Sequence, residues 1–368
     1  MAWTDSAIYA FGVYPDTVSF QRIAVNASVR SAIDALSSAD HLSDNARVTE
    51  ASQDLGEALF VDLKPPITAN TVMILDGPLT KVPFDLVSIS NGASTPKILA
   101  DVTNVRYEYG IDLIEGATAP TTPGDIFTLA PSFHLPSDES ASSDPGKNTN
   151  LLTALPSVRS KLGPLTFNMI EVGTIMELAD GDRLEGERIS EEDVWNKIAG
   201  KRILHFATHA ICDNEHPGLS AILVRDPLPN GTSSNEDDDG LLHAYEIQRK
   251  RLGADLVVLS ACETSLGKEQ KGEGPMSLAR AFKYAACSNI VSSLWKVDDL
   301  ATKEIMVKFY EKLGEGMGKA DALAEAKRWY RRTYPNEPPS KWAAFILIGD
   351  NEPVHLKKRE PMRPWMWG

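Results

Sequence analysis

The chain is short of several things, and each shortage excludes a class of protein. Three cysteines in 368 residues are too few for a disulfide framework, so a reducing compartment is expected. No apolar run approaches the roughly 20 residues that span a bilayer. The opening Met-Ala-Trp-Thr-Asp-Ser lacks the charged and apolar regions of a secretory signal. Positive charge is scarce: 37 Lys and Arg against 51 Asp and Glu leave a net charge of −14, which argues against a nucleic-acid backbone as a direct partner. The remainder, 42% hydrophobic and 24% charged, is ordinary for a soluble globular protein. The expectation is a cytoplasmic protein without membrane contact.

Two hydrophobic runs stand out, each ending in a reactive side chain: Lys201-Arg-Ile-Leu-His-Phe-Ala-Thr-His209 and Ala254-Asp-Leu-Val-Val-Leu-Ser-Ala-Cys262. Both have strand length and aliphatic, β-branched composition. In an open parallel sheet, residues just past the carboxyl ends of neighbouring strands converge on one crevice. A thiol of ordinary pKa is mostly protonated near neutrality, and the thiolate is the attacking species. An imidazole within reach takes that proton and later returns one to the leaving amine. Cys262 as nucleophile and His209 as base therefore form a sensible pair if their strands are neighbours.

Along the chain, residues 1–66 read as a mainly helical segment closed by Lys64-Pro-Pro66. No repeat of about 34 residues is evident. Strands are expected at Val72–Leu75, Val102–Tyr109 and Ile126–Leu129. A polar, small-residue stretch from Pro136 to Asn150 marks a linker or exposed loop, dividing residues 67–150 from 151–350. Ser190-Glu-Glu-Asp193 has the form of a helix start. Further strands are expected at Ala221–Val224, Asn289–Trp295 and Phe345–Ile348, and helices at Tyr245–Leu252, Pro275–Ala286, Thr302–Leu313 and Ala320–Arg331. Asp226–Gly240 and Gly267–Gly274 read as loops, and residues 351–368 as a tail. Alternating strands and helices imply a largely parallel α/β sheet covered on both faces.

His-Phe-Ala-Thr-His209-Ala, Leu-Ser-Ala-Cys262-Glu-Thr-Ser and Ser-Leu-Trp295-Lys-Val-Asp-Asp299 resemble the signature blocks of CHAT domains, caspase-like cysteine proteases related to separase and often fused to TPR repeats. The resemblance runs from the block Val72–Asp85 to the block Trp342–Asp350, about three quarters of the chain. It implies a caspase-like fold in which a degenerate first portion, here residues 67–150, packs on the catalytic one. His209 and Cys262 stand 53 residues apart, near the roughly 50 between His and Cys in caspases. Ser-Ala-Cys262-Glu-Thr departs from the caspase Gln-Ala-Cys signature, so specificity for aspartate is not carried over.

The same resemblance implies oxyanion donors at the backbone N–H groups of Ala210 and Cys262. It places Asp299 where separase-like members pair with a basic residue before the cut, and Arg is favoured by bidentate geometry. Asp298 and Glu263 are further candidates for that pocket, although Asp also suits the start of the helix that follows. The implied activity is that of an endopeptidase without cofactor or metal. Its partners are a protein substrate and a regulatory protein or TPR-like sensor that orders the site loops.

Other readings exist for some of these residues. His205, inside the strand, reads as a structural histidine; Cys287 reads as core, and Cys212 as exposed loop or local packing. His205, His209, Cys212 and His216 are zinc-ligand types, but their spacing fits no tetrahedral pattern. The acid run Glu236-Asp-Asp-Asp239 lacks the spaced ligands of a calcium loop. Arg249-Lys-Arg251 is a possible self-cleavage point on a helix face. A silent caspase-like scaffold is the main alternative to an enzyme.

Overall fold

The computed structural model describes residues 1–60, 69–89, 97–111, 124–133, 165–213, 215–225, 238–260, 262–266 and 276–358. The expected loops at 136–150, 226–237 and 267–274, the Lys64-Pro-Pro66 stop and residues 359–368 of the tail lie outside the described residues.

The chain opens in strands, which the helical reading of residues 1–66 does not anticipate, although helices hold the larger share of that segment. β1 (Ala2–Trp3), β2 (Ala7–Val13) and β3 (Val18–Ala24) form an antiparallel sheet. Ile8, Ala10 and Ile23 face inward while Phe11, Val13, Val18 and Phe20 face outward, the two-residue period of a half-buried sheet. Helices then follow at apolar spacing. α1 (Ala27–Leu36) is capped by the Asn26 side chain, which accepts from the Val29 N–H, and α2 is Asn45–Phe60.

β4 (Asn70–Met73), β5 (Asn104–Tyr107) and β6 (Ile126–Pro131) come next. They are followed by α3 (Asn168–Leu178), β7 (Gly181–Gly186) and α4 (Glu191–Ile198). The Ser190 hydroxyl accepts from the Asp193 N–H and the Asp193 carboxylate accepts from the Ser190 N–H, the reciprocal cap that the sequence predicts. The segment around the first expected run holds β8 (Ile203–Phe206), β9 (His209–Asp213), β10 (Ala221–Leu223) and β11 (Leu241–His243). The second holds β12 (Leu256–Leu259) and β13 (Cys262–Leu266). The chain ends with α5 (Met276–Tyr284), β14 (Ile290–Ser293), α6 (Asp299–Gly314), α7 (Lys319–Thr333) and β15 (Phe345–Ile348). Of the helix expected at Tyr245–Leu252, only Ala244–Ile247 is helical.

Eight strands form one sheet in the order β4-β5-β15-β14-β12-β8-β6-β7. Every neighbouring pair is parallel except β14 with β15. The fold is thus mixed α/β with a mostly parallel sheet, and that sheet takes strands from both sides of residue 150. All residues of β6, β8, β12, β14 and β15 are buried, as continuous apolar strands of a covered parallel sheet must be. α3 packs on β6 and α6, and α7 packs on α6, β5 and β15. Gly349 turns the chain out of β15 at φ 141°, a conformation that only glycine adopts readily. Among the described residues, no helix is long and apolar enough to cross a membrane.

Candidate active site

The site begins where two central strands stop together. β8 and β12 are parallel neighbours in register, Phe206 opposite Leu259. Each ends there, because small residues follow: Ala207-Thr208 on one side and Ser260-Ala261 on the other. Both chains then enter a second sheet, of order β11-β10-β9-β13. Its first rung pairs His209 with Cys262, again parallel, and the next pairs Ala210 with Glu263. Adjacent strands lie about 4.8 Å apart. The two expected catalytic residues are therefore immediate neighbours across a ladder. The expectation placed them past the ends of strands, whereas each opens a new one.

The transition between the sheets is held by polar groups. The Thr208 hydroxyl, fully buried, donates to the Leu223 carbonyl at 2.6 Å. The Asn168 amide, at the start of α3, donates to the Pro131 carbonyl at 2.9 Å and the Ala207 carbonyl at 3.2 Å. The His209 ring is 1% exposed and tilts against Phe133, with centroids 4.9 Å apart. Ala210 is buried and sits in register with Ile222 of β10 as well as Glu263 of β13.

His205 belongs to the other sheet. It is fully buried, with Nε2 2.9 Å from Glu171 Oε1 and Nδ1 3.3 Å from the Tyr310 hydroxyl. That is a buried histidine packed within a strand, hydrogen-bonded through Nδ1 but not through Nε2. His216 is 69% exposed on its side chain, beside Asp213. Among the described residues, no three His, Cys, Asp or Glu side chains gather as metal ligands. Cys212 and Cys287 are buried, so Cys212 packs in β9 and is not in an exposed loop. Burial pushes the Cys287 thiol up to about 11, beyond what a backbone N–H and Lys283 offset.

The two acids before α6 have different surroundings. Asp298 is the N-cap: its Oδ1 accepts from the Ala301 N–H at 3.1 Å, and its Oδ2 lies 3.1 Å from Lys341 Nζ. Partial burial acts to raise its carboxyl, but these partners bring it below the ordinary range. Asp299 turns to α3 instead. Its Oδ2 accepts from the N–H groups of Thr166 at 2.6 Å and Phe167 at 2.7 Å. Burial raises the Asp299 carboxyl, and the nearby Glu171 and Asp298 charges add to the rise that those two donors oppose.

Asn168, Glu171, Ser260 and Tyr310 were not recognised in the sequence. α3 carries apolar residues around its whole circumference, with Met169 and Ile170 exposed, so it lacks the one-sided period that marks a surface helix. Two cavities lie elsewhere. One of about 710 Å³ is lined by α2, Arg328, Arg331 and Trp342, and another of about 900 Å³ by Trp3, His41, Tyr107 and Arg280.

Comparison with known proteins places these features in a wider setting. The profile of the CHAT domain matches residues 49–350. The human tetratricopeptide repeat protein 28 is 27% identical over 219 residues, covering 51% of this chain and 9% of its own length. The chain thus spans under a tenth of that relative. Among solved structures, the Saccharomyces cerevisiae separase–securin complex is 12% identical at a TM-score of 0.36, covering 68% of this chain and 14% of that one. A complex of Porphyromonas gingivalis RgpB pro- and mature domains is 9% identical at 0.44, covering 90% and 77%.

Proposed function

The chain belongs to the CHAT-domain family, and from that premise we propose that it is a cysteine endopeptidase acting through Cys262 and His209. The observation that carries this reading is their pairing in register on adjacent parallel strands, just beyond a break shared by both. Register puts the two backbones on one rung of the ladder, which suits a nucleophile and its base. Cys262 attacks the scissile carbonyl as thiolate while His209 accepts the proton, then returns one to the departing amine. Water releases the acyl-enzyme with His209 as base again. The backbone N–H groups of Ala210 and Cys262 are assigned to the developing oxyanion, where fixed donors cost no reorganisation.

Substrate selection is assigned to Asp299. Both of its backbone bonds fall on Oδ2, and Oδ1 is proposed to receive a basic P1 side chain, Arg in preference to Lys. Glu263, one residue beyond Cys262, is the second candidate, and Asp298 the third, since it already caps α6. The partners proposed are a protein substrate and a regulatory or TPR-type module, in keeping with the small share of its longer relative that this chain spans.

The test is cleavage of a fluorogenic peptide library by wild type and Cys262→Ala. Cleavage after Arg that disappears in the variant supports the reading. Equal background in both, together with a Cys262 thiol no more reactive than Cys287, sinks it in favour of a silent scaffold.

A further inference from the structure

We propose that Glu171 is a positioning residue for the His209–Cys262 pair, holding from beneath the two chain segments that carry them; this rests on the dyad reading above. Glu171 is 1% exposed and lies in the first turn of α3. One oxygen of its carboxylate, Oε1, accepts from the Ser260 hydroxyl at 2.6 Å and lies 2.9 Å from His205 Nε2. Ser260 stands two residues before Cys262, and His205 four before His209. A single buried atom therefore meets the exits of β12 and β8, through a hydrogen bond from Ser260 and a close approach to His205 Nε2 that is not itself a hydrogen bond.

The rest of the arrangement immobilises that atom. α3 is fixed at its start by Asn168 on the Pro131 and Ala207 carbonyls, and by Asp299 on the Thr166 and Phe167 N–H groups. The Tyr310 hydroxyl meets His205 Nδ1 at 3.3 Å. Burial, with the Glu171 charge, raises the Tyr310 phenol well above its ordinary range, so it remains a donor. The α3 N-terminus favours a negative charge at this place.

A buried carboxylate is an expensive way to fill space, since it must give up its hydration and an apolar cluster of similar volume is often as stable. Direction is what the carboxylate adds. It converts the separate ends of two strands into one rigid unit, and misplacing reacting groups by about 1 Å costs on the order of 10²-fold in rate.

The experiment is the pH profile of iodoacetamide alkylation at Cys262, read by mass spectrometry with Cys287 as the internal buried control. The proteins are wild type, Ser260→Ala, Ser260→Thr, Glu171→Gln and His209→Ala, with thermal unfolding recorded for each. Ser260→Ala removes the hydroxyl that donates to Glu171 and leaves His205 Nε2 2.9 Å from the carboxylate, so it is expected to fold. The expected result is an ordinary unfolding temperature, a profile displaced upward, and neutral-pH labelling about ten-fold slower, with Ser260→Thr restoring both. Glu171→Gln, which keeps an oxygen acceptor, is expected to displace the profile in the same direction. If His209→Ala displaces the profile while Ser260→Ala and Glu171→Gln match wild type, the dyad stands and the positioning role is overturned. If His209→Ala itself leaves the profile unchanged, the dyad reading fails, and this proposal with it.

Discussion

His209 and Cys262 each lie three residues past a pair of register partners, Phe206 and Leu259, and are themselves register partners. The break between the two sheets consumes the same length of chain on both strands, so the pairing set in the central sheet is transmitted to the second. Their closeness is thus a consequence of strand register and not of loop conformation, which makes it a fixed feature of the fold.

Groups that act as one unit are non-additive when removed. His209→Ala and Cys262→Ala are each expected to lower kcat/KM for an Arg-containing peptide by on the order of 10⁴-fold or more. The double variant should be no worse than the poorer single one. Losses that multiply would show two residues acting independently, against a dyad.

Asp298 and Asp299 adjoin in sequence but face different partners, so their variants should separate. Asp298→Ala removes the cap of α6 and is expected to cost about 1 kcal/mol in denaturant unfolding; its exposed pairing with Lys341 adds little. Preference among P1 residues should be unaltered. Asp299→Asn keeps an acceptor for Thr166 and Phe167 yet loses the charge. It should reduce kcat/KM for an Arg peptide relative to a neutral one by about 10- to 100-fold. An unchanged Arg preference would leave Asp299 as a cap of α3 alone.

Much of this was legible in sequence because the central strands are buried on both faces. Ile203–Phe206, Leu256–Leu259 and Phe345–Ile348 are unbroken apolar runs, and such runs have few alternatives. The two proposed catalytic residues stand out for the same reason, since each follows such a run. The second sheet is not legible in the sequence because Ala207-Thr208 and Ser260-Ala261 look like strand ends, and only tertiary pairing shows that the chain extends again. The β2–β3 hairpin carries an alternating pattern around Pro15-Asp16, a signal that the helical spacing later in the same segment masks. Glu171 and Ser260 carried none, because a lone polar residue does not reveal which distant strand it will meet.

Glu191 gives a pH dependence with a definite sign. Burial raises its carboxyl from 4.5 to about 8, and the neighbouring Asp239 and Glu246 charges oppose ionisation further, despite the Gly240 N–H that favours it. Between those two values the folded protein holds a proton that the unfolded chain has released. Stability from this group is therefore fully present below about pH 4.5 and lost as pH rises through about 8. Glu191→Gln keeps an acceptor for Gly240 and cannot ionise. Its unfolding temperature, compared with wild type from pH 5 to 9, should show a relative gain that grows with pH. A constant difference across that range would refute the shift.

Asp85 closes the block Val82-Pro-Phe-Asp85, whose role was not readable in the sequence. Its Oδ2 lies 3.0 Å from Lys327 Nζ, which also donates to the Phe345 carbonyl at 2.6 Å, and both side chains are 4% exposed. The pair joins the segment after β4 to α7 and the first residue of β15. Removing one partner leaves a charge buried without compensation, which typically costs about 3–5 kcal/mol. Lys327→Met should show a loss of that size in urea unfolding, and Asp85→Ala a comparable one. Replacing both with apolar residues of similar volume should recover much of it, because the desolvation of the pair offsets most of its attraction. If the double variant were as unstable as the two single losses added together, the buried charge would not be the cause, and packing around Phe84 and Phe345 would be.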